Sequence, residues 1–318
     1  MYVRSITTLN RSCMPLIRDK KNKSLFNECH HETNNGREIS FEGKNLPFLG
    51  RVRITLNILL SSILLTADNP NILKTFLEPQ KAVSAASESK KILLNKLKQL
   101  SEEDFKGINP KVNLHIHSTF SDSKLHVDQI IEQAIKKHKK IISISDHNTT
   151  EHLKEIKKYR ELAQKNNLEI LNSVELTTYH KNSMIHLLVY GADETDSCLN
   201  RLCLKAQNHK RLSTIETIKK LSKYYVIVIA HPVVYTKINI AKLIKNLKKA
   251  GLDGVEVYYP YKDMDRMLKR LQIPFGTKFL RDIILVREKS VNPKKIAKNL
   301  NLISTGGSDS HSLDIDIP

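Results

Sequence analysis

Two histidines separated by one residue stand at the end of a short apolar run, in "VNLHIHSTFSDS" over residues 112–123. A β-strand points alternate side chains to opposite faces, so His115 and His117 are predicted to share one face, with Leu114 and Ile116 on the other. Paired imidazoles rarely fill a core, but they hold a metal well once acidic and further histidine ligands join them. The pair alone does not distinguish a metal site from a chance pair of surface histidines. Further candidate ligands elsewhere in the chain are needed to distinguish them.

The elements that would position such ligands follow from periodicity. Seven apolar runs of strand-like length are found at 112–118, 140–147, 168–176, 184–191, 225–232, 254–259 and 302–309. Amphipathic helical patterns are found between them at 126–139, 150–166, 196–222 and 238–249. Strands that alternate with helices imply parallel pairing, and seven units in about 200 residues favour a closed α/β barrel. The active site of such a barrel lies at the carboxyl ends of its strands.

Side chains that suit metal binding stand at most of these strand ends. They are His115, His117, Asp122, His147, Glu175, His186, His231, Asp309 and His311. His186 is the exception because it lies near the start of its strand, where alternation with Leu188 and Tyr190 still directs it toward the barrel interior. The remaining histidines fall in tails, helices or loops and are predicted to be ordinary surface residues: His30, His31, His126, His138, His152, His180 and His209.

Seven motifs, in order along the chain, resemble the PHP (polymerase and histidinol phosphatase) family. They are "HIHSTFSDS", "ISDHNT", "SVEL", "IHLLVYG", "IAHP", "GLDGVEVYYP" and "TGGSDSH". The resemblance covers about 111–311 and is closest to the stand-alone metal-dependent phosphoesterases. That branch includes nucleoside 3′,5′-bisphosphate phosphatases and the 5′-to-3′ exoribonuclease RNase AM. It implies a distorted (β/α)7 barrel, which agrees with the strands predicted from periodicity.

The resemblance also implies two to three divalent ions of manganese, zinc or iron. It gives three ligand sets: His115, His117, Glu175 and Asp309 for one ion, Glu175, His186 and His231 for a second, and Asp122, His147 and His311 for a third. Mixed imidazole and carboxylate ligands suit these metals. Clustered ions acidify a bound water and neutralise the charge that grows on phosphate during attack. The residues predicted to be catalytic are Glu175, His231 and Asp309.

Arg211 matches an arginine that the family carries on this helix, and a guanidinium fork suits a second phosphate of the substrate. A solvated helix arginine is the open alternative. The sequence departs from the family at Asn113, where aspartate is usual, and lacks an insertion before "IAHP" that helps to cover the substrate pocket. The stretch 261–301 is longer than is typical and is expected to cover the site instead.

The chain carries 52 Lys+Arg against 33 Asp+Glu, a formal net charge of +19. This favours polyanionic partners such as nucleotides, short oligonucleotides or other phosphorylated metabolites, or an anionic membrane surface. The open alternative is that the lysines simply lie on solvated helix faces. The four cysteines form no CxxC pair, which indicates a reducing, cytoplasmic compartment. The most apolar run, 54–65, is shorter than the roughly 20 residues that span a bilayer, so no membrane attachment is expected. No obligate protein partner is evident.

The predicted domain organisation is an irregular extension over 1–108, partly disordered or helical, and a PHP phosphoesterase domain over 109–318. Within the extension, the polar first fifty residues are expected to be disordered, and short helices are expected at 51–66 and before residue 105. The predicted function is metal-dependent hydrolysis of phosphate esters of nucleotides, or of the 5′ ends of short oligonucleotides, by a metal-activated hydroxide. The alternatives are a histidinol-phosphate-type phosphatase and a catalytically silent metal-binding module.

Overall fold

A computed structural model of the protein describes residues 85–107, 109–263 and 277–317. The disorder predicted for the first fifty residues and the helix predicted at 51–66 lie outside the described residues. In the described part of the chain, strands and helices alternate over most of the length, so the α/β class predicted from the sequence is confirmed.

All seven predicted strands form one sheet whose spatial order follows the chain. They are β1 (Val112–Ile116), β2 (Ile141–Ile144), β3 (Glu169–His180), β4 (Ser183–Tyr190), β5 (Val226–Ile229), β6 (Gly254–Tyr258) and β7 (Ile303–Gly306). The sheet nearly closes, because Asp309 N donates to His115 O at 2.8 Å just beyond β7. Gly307 permits this approach, since a Cβ there would lie 2.4 Å from the His115 Cβ. The distorted barrel is therefore confirmed.

Helices cover the outside of the sheet and precede it. They are α1 (85–98), α2 (Glu102–Phe105), α3 (Val127–Lys136), α4 (Glu151–Lys165), α5 (Ser197–Gln207), α6 (Thr214–Leu221), α7 (Ile240–Ala250), α8 (Thr277–Val291) and α9 (Pro293–Asn299). The single helix predicted at 196–222 is two helices, because His209 has a φ of 54°, which no right-handed helix contains. No helix in the described ranges is long and apolar enough to cross a membrane.

The expectation that all strands pair in parallel is wrong for β4. This strand runs antiparallel to both β3 and β5. Only two residues, beginning with Lys181 in a left-handed conformation (φ 55°), separate β3 from β4, and so short a link reverses the chain without a crossover helix. The start of β4 therefore lies beside the carboxyl ends of its neighbours, where His186 pairs with Thr177. This explains why a histidine near the start of a strand faces the predicted site.

The two histidines of β1 converge by a different route from the one predicted. Leu114 and Ile116 do not share a face: Leu114 packs in the barrel interior, whereas Ile116 packs in the layer between the strands and the outer helices. The register of β1 against β2 shifts between Asn113 and Ile116, which inserts an irregularity into the strand. The irregularity lets His115 follow Leu114 into the interior, and His117 then returns to the same side.

Helix α1 and the residues after it close the barrel at the end opposite the strand carboxyl ends. Leu97 is 1% exposed and packs with Phe105 against the interior residues Leu188 and Tyr190. The Tyr190 hydroxyl donates to the Leu114 carbonyl at 3.0 Å, which satisfies the one polar group of this cluster's largest side chain. In the described part of the chain, residues on both sides of position 108 therefore share a core, and the predicted domain division stays a prediction.

We predict that Leu97→Ala lowers the free energy of unfolding by about 2–5 kcal/mol, because it opens a cavity in the barrel interior. Denaturant unfolding followed by circular dichroism measures the change. Ile92→Ala is the matched control on the same helix, since Ile92 is 61% exposed, and we expect it to stay within about 0.5 kcal/mol of the unsubstituted protein. Equal effects of the two substitutions would show that α1 does not plug the barrel.

Candidate metal centre

Glu175, on β3, lies at the centre of the candidate site and is fully buried. Its Oε1 atom lies 3.0 Å from His186 Nδ1, which β4 supplies. The same oxygen lies 3.0 Å from Nε2 of His231, which follows β5. The adjacent strands β4 and β5 thus place two imidazoles beside the same carboxylate oxygen.

The second oxygen of Glu175 faces three more imidazoles. Oε2 lies 3.1 Å from His115 Nε2, 3.2 Å from His117 Nε2 and 3.1 Å from His147 Nδ1. Despite these distances, Glu175 Oε2 has no hydrogen-bond partner of acceptable geometry among the described residues. Buried polar atoms are normally hydrogen-bonded, so atoms that converge without bonding indicate a position for a cation.

The spacing between the ring nitrogens supports this interpretation. His115 Nε2 and His117 Nε2 lie 3.0 Å apart. Two ligands on one zinc-like ion, with bonds of about 2.0–2.1 Å and angles of 90–110°, stand roughly 2.9–3.4 Å apart. The two imidazoles therefore fit a shared ion, and so does the surrounding donor set of nitrogen and carboxylate oxygen.

Asp309 completes the first group. Its Oδ1 atom lies 3.0 Å from His117 Nε2 and 3.2 Å from His115 Nε2. The Tyr259 hydroxyl donates to Oδ2 at 2.9 Å and fixes the carboxylate. Asp309 has a φ of 54°, a left-handed conformation in which aspartate is more common than most residues. The ligand atoms of His115, His117, Glu175 and Asp309 all lie within 4.8 Å of one another.

Two further groups overlap the first. In one, ligand atoms within 4.8 Å of one another come from His117, Asp122, His147 and His311. In the other, they come from His147, Glu175 and His186. His311 Nε2 lies 2.9 Å from Asp122 Oδ1, so the loops after β1 and β7 meet here. The structure thus brings together all nine predicted ligands, with His231 reaching the others through Glu175, while their binding of ions remains a prediction.

The electrostatics of the site come from carboxylates held among imidazoles. Burial would raise the pKa of the Glu175 and Asp309 carboxyls, but the surrounding imidazoles hold both well below their usual range. Burial opposes protonation of His117, but Asp309 and Glu175 raise its pKa to about 9. For His147 burial prevails and lowers the pKa to about 3. Protons on the first group would therefore be displaced by a cation at the same place.

Glu256 on β6 is a site residue to which sequence reasoning assigned no role. It is fully buried, and its Oε1 lies 3.0 Å from His115 Nδ1. Its Oε2 accepts from the His231 backbone N–H at 2.7 Å. A carboxylate on Nδ1 fixes the ring so that Nε2 faces the ligand group. The signal was present in "GVEVYY", where a charged residue lies between Val255 and Val257 on a predicted strand.

His152 was predicted to lie at the surface, and this is wrong. It is fully buried, with Nε2 placed 2.9 Å from Ser173 O, to which it donates. Its Nδ1 faces Asp146 Oδ2 at 3.5 Å. Asp146 in turn accepts from Ser118 N at 2.7 Å and from Ser118 Oγ at 2.6 Å. His152 and Asp146 therefore support the loop that follows His117. The missed signal was the apolar face of α4, on which His152 lies.

Arg211 does not belong to the three groups of candidate ligands, which together form the metal groups. Its Nη2 donates to the Lys181 carbonyl at 2.7 Å, and its guanidinium lies over the Tyr179 ring, 4.7 Å from the centroid. Tyr179 is four residues beyond Glu175 on β3, about 13 Å along the strand. The predicted role of Arg211 in substrate binding stays a prediction.

The stretch 261–301, predicted to cover the site, contacts the loop that carries one candidate ligand. Arg287 on α8 donates from Nε to Val233 O at 3.1 Å, two residues after His231. Residues 264–276 lie outside the described residues. The described part of this stretch therefore supports His231 from behind, while its covering of the substrate pocket stays a prediction.

Comparison with known families agrees with this geometry. Residues 113–262 match the PHP domain. The match covers just under half of the 318 residues and contains seven of the nine candidate ligands. It ends before Asp309 and His311, which the barrel closure brings back to the first strand of the PHP-domain segment.

Three individual proteins show distant similarity to the chain. Phosphoribosyl 1,2-cyclic phosphate 1,2-diphosphodiesterase of Eggerthella lenta is 25% identical over 111 residues, 34% of this chain and 41% of that protein. A solved structure from Bifidobacterium adolescentis, whose name suggests a metal-dependent phosphoesterase, has a TM-score of 0.47 and 19% identity over 65% of this chain and 89% of that one. An amidohydrolase from Chromobacterium violaceum has a TM-score of 0.46 and 18% identity over 64% and 88%. Likeness at this level carries no activity across.

We predict that Glu256→Gln weakens metal binding about 10- to 100-fold, because the amide holds His115 less firmly than the carboxylate does. Titration of the metal-free protein with Mn²⁺ or Zn²⁺, followed by calorimetry, measures the affinity. Glu132→Gln, on the exposed side of α3, is the control that removes the same charge. An affinity unchanged by Glu256→Gln would mean that Glu256 serves the fold and not the ligand group.

Proposed function

We propose that the protein is a metal-dependent phosphoesterase that hydrolyses phosphate esters of nucleotides or of the 5′ ends of short oligonucleotides. The observation that carries the proposal is the convergence of six imidazoles and two further carboxylates around the buried Glu175. Bound divalent ions supply an acidified water and neutralise the charge that develops on phosphate. The match to the PHP domain supports this chemistry, and the net charge of +19 supports a polyanionic substrate.

Three residues carry the predicted catalytic roles. Glu175 offers its two oxygens to different imidazole groups, so it would hold neighbouring ions close to each other. Asp309 presents a carboxylate that the Tyr259 hydroxyl holds in place. His231 is fixed through its own backbone N–H by Glu256. All three are buried, so the substrate phosphate would meet groups that are already oriented.

A cysteine nucleophile is not supported in the described part of the chain. Cys203 is buried, and burial raises the pKa of its thiol to about 12, so little thiolate exists near neutral pH. Both described cysteines, Cys198 and Cys203, lie on α5 on the outer side of the barrel. We therefore infer that the nucleophile would be a water acidified by ions that the candidate ligands hold.

The substrate is tested by a panel assayed with the full chain and Mn²⁺. The panel contains a nucleoside 3′,5′-bisphosphate, a short 5′-phosphorylated RNA, histidinol phosphate and a ribose 1,2-cyclic phosphate. We expect the nucleotide or the RNA to give the highest kcat/KM, and chelation to abolish turnover. Preferred turnover of histidinol phosphate would favour that phosphatase instead, and no turnover with ions bound would favour a silent module. Activity that survives thorough chelation would contradict the proposal.

We predict that Asp309→Asn lowers kcat at least about 10- to 100-fold, because it removes an anionic ligand while it keeps the size of the side chain. Mass spectrometry of the native protein measures the bound metal in parallel. Glu161→Gln, an exposed carboxylate on α4, should change neither quantity. If Asp309→Asn kept the full rate and metal content, the motif "TGGSDSH" would be misassigned.

A further inference from the structure

A second concave site lies beside the metal groups. It is a cavity of about 350 Å³ between the loop after β1, the start of α3 and the first turns of α4. Its lining includes Thr119, Phe120, His126, Asp128, Glu155 and Tyr159. None of these residues is a candidate metal ligand, so the cavity has a chemistry of its own.

The cavity and the metal groups are held by the same loop. Phe120 lies two residues before Asp122, a candidate ligand, and two residues span at most about 7 Å. The loop is fixed on Asp146, which accepts from Ser118 N at 2.7 Å and from Ser121 Oγ at 2.5 Å. A substrate whose phosphate lies at the metal groups would therefore extend over Phe120 within the length of one nucleotide.

Aromatic rings make the cavity suited to a flat ligand. Phe120 is 42% exposed although it is a large apolar residue. The centroid of its ring lies 6.5 Å from the ring centroid of the buried His152, which supports the position of Phe120. Tyr159 contributes a second, partly buried ring to the same cavity. Exposed aromatic rings beside a phosphate site stack nucleobases, because every base offers a π-face.

The charge of the lining distinguishes a base from a phosphate. Asp128 and Glu155 line the cavity, and no lysine or arginine of the described ranges lines it. Lys158 donates to Glu155 Oε2 at 2.6 Å, yet a carboxylate accepts several hydrogen bonds. Two carboxylates repel a phosphate but accept hydrogen bonds from exocyclic amino groups, as they do from cytosine N4.

We propose that this cavity binds the nucleobase of the substrate, with Phe120 as its stacking platform, and prefers adenine, cytosine and guanine to uracil. The inference rests on the proposed function, since it places the ester phosphate at the metal groups. It adds what those groups do not provide, which is discrimination between a nucleotide and a sugar phosphate.

A binding experiment tests the cavity without catalysis. The probe is 2-aminopurine riboside, which has no phosphate and whose fluorescence is quenched by stacking. We expect quenching by the full-length protein, retention of quenching in Phe120→Tyr and its loss in Phe120→Ala. Leu162→Ala, a 44% exposed leucine farther along α4, is the matched control and should quench normally. Equal quenching by Phe120→Ala and the unsubstituted protein would overturn the proposal.

A kinetic experiment then links the cavity to turnover. For cytidine 3′,5′-bisphosphate, Phe120→Ala should lower kcat/KM about 5- to 100-fold, chiefly through KM. For ribose 3,5-bisphosphate, which has no base, it should leave kcat/KM unchanged. Glu155→Gln should reduce the preference for cytidine over uridine. An equal loss on both substrates would overturn the nucleobase assignment, whereas quenching without turnover of any ester would refute the proposed function and leave the cavity standing.

Discussion

The structure depends on one interaction, the burial of the Glu175 carboxylate among imidazoles. An ionised carboxylate taken out of water without partners is strongly destabilising, so the surrounding chain must supply positive charge. Five imidazole nitrogens lie within 3.0–3.2 Å of its two oxygens. The unusual features of the barrel serve this arrangement. The irregularity in β1 turns His115 inward, and the reversed direction of β4 brings His186 to the same end as the others.

The groups around the candidate ligands hold them in geometries that the backbone alone would not favour. His231 has a φ of 27° and Asp309 a φ of 54°, and left-handed conformations of non-glycine residues cost on the order of 1–3 kcal/mol. Each is offset by specific bonds: Glu256 accepts from the His231 N–H, and Tyr259 donates to Asp309. Away from the ligands, Asp316 pairs with the buried Lys139 at 2.6 Å and ties the residues after Asp309 to the barrel. Strain at the ligands and support behind them are the pattern of a preorganised site.

Much of this architecture could be predicted from the sequence, because strand periodicity and polar residues at strand ends are local signals. The direction of β4 was missed, although the short link before it leaves no room for a crossover helix. The burial of His152 was missed because a histidine on a helix can face either solvent or the core, and only the tertiary packing determines which. Glu256 and Tyr259 were missed as supports because their roles depend on which side chains the closed barrel places opposite them. Such contacts between distant strands have no local signature.

The central claim is that the groups around Glu175 hold divalent ions. Anomalous diffraction from crystals grown with Mn²⁺, measured at the manganese edge, tests it most directly. The account predicts a peak within bonding distance of His115, His117, Glu175 and Asp309, and at least one more peak on the other side of the Glu175 carboxylate. Crystals that diffract well and show no anomalous peak within bonding distance of Glu175 would contradict it.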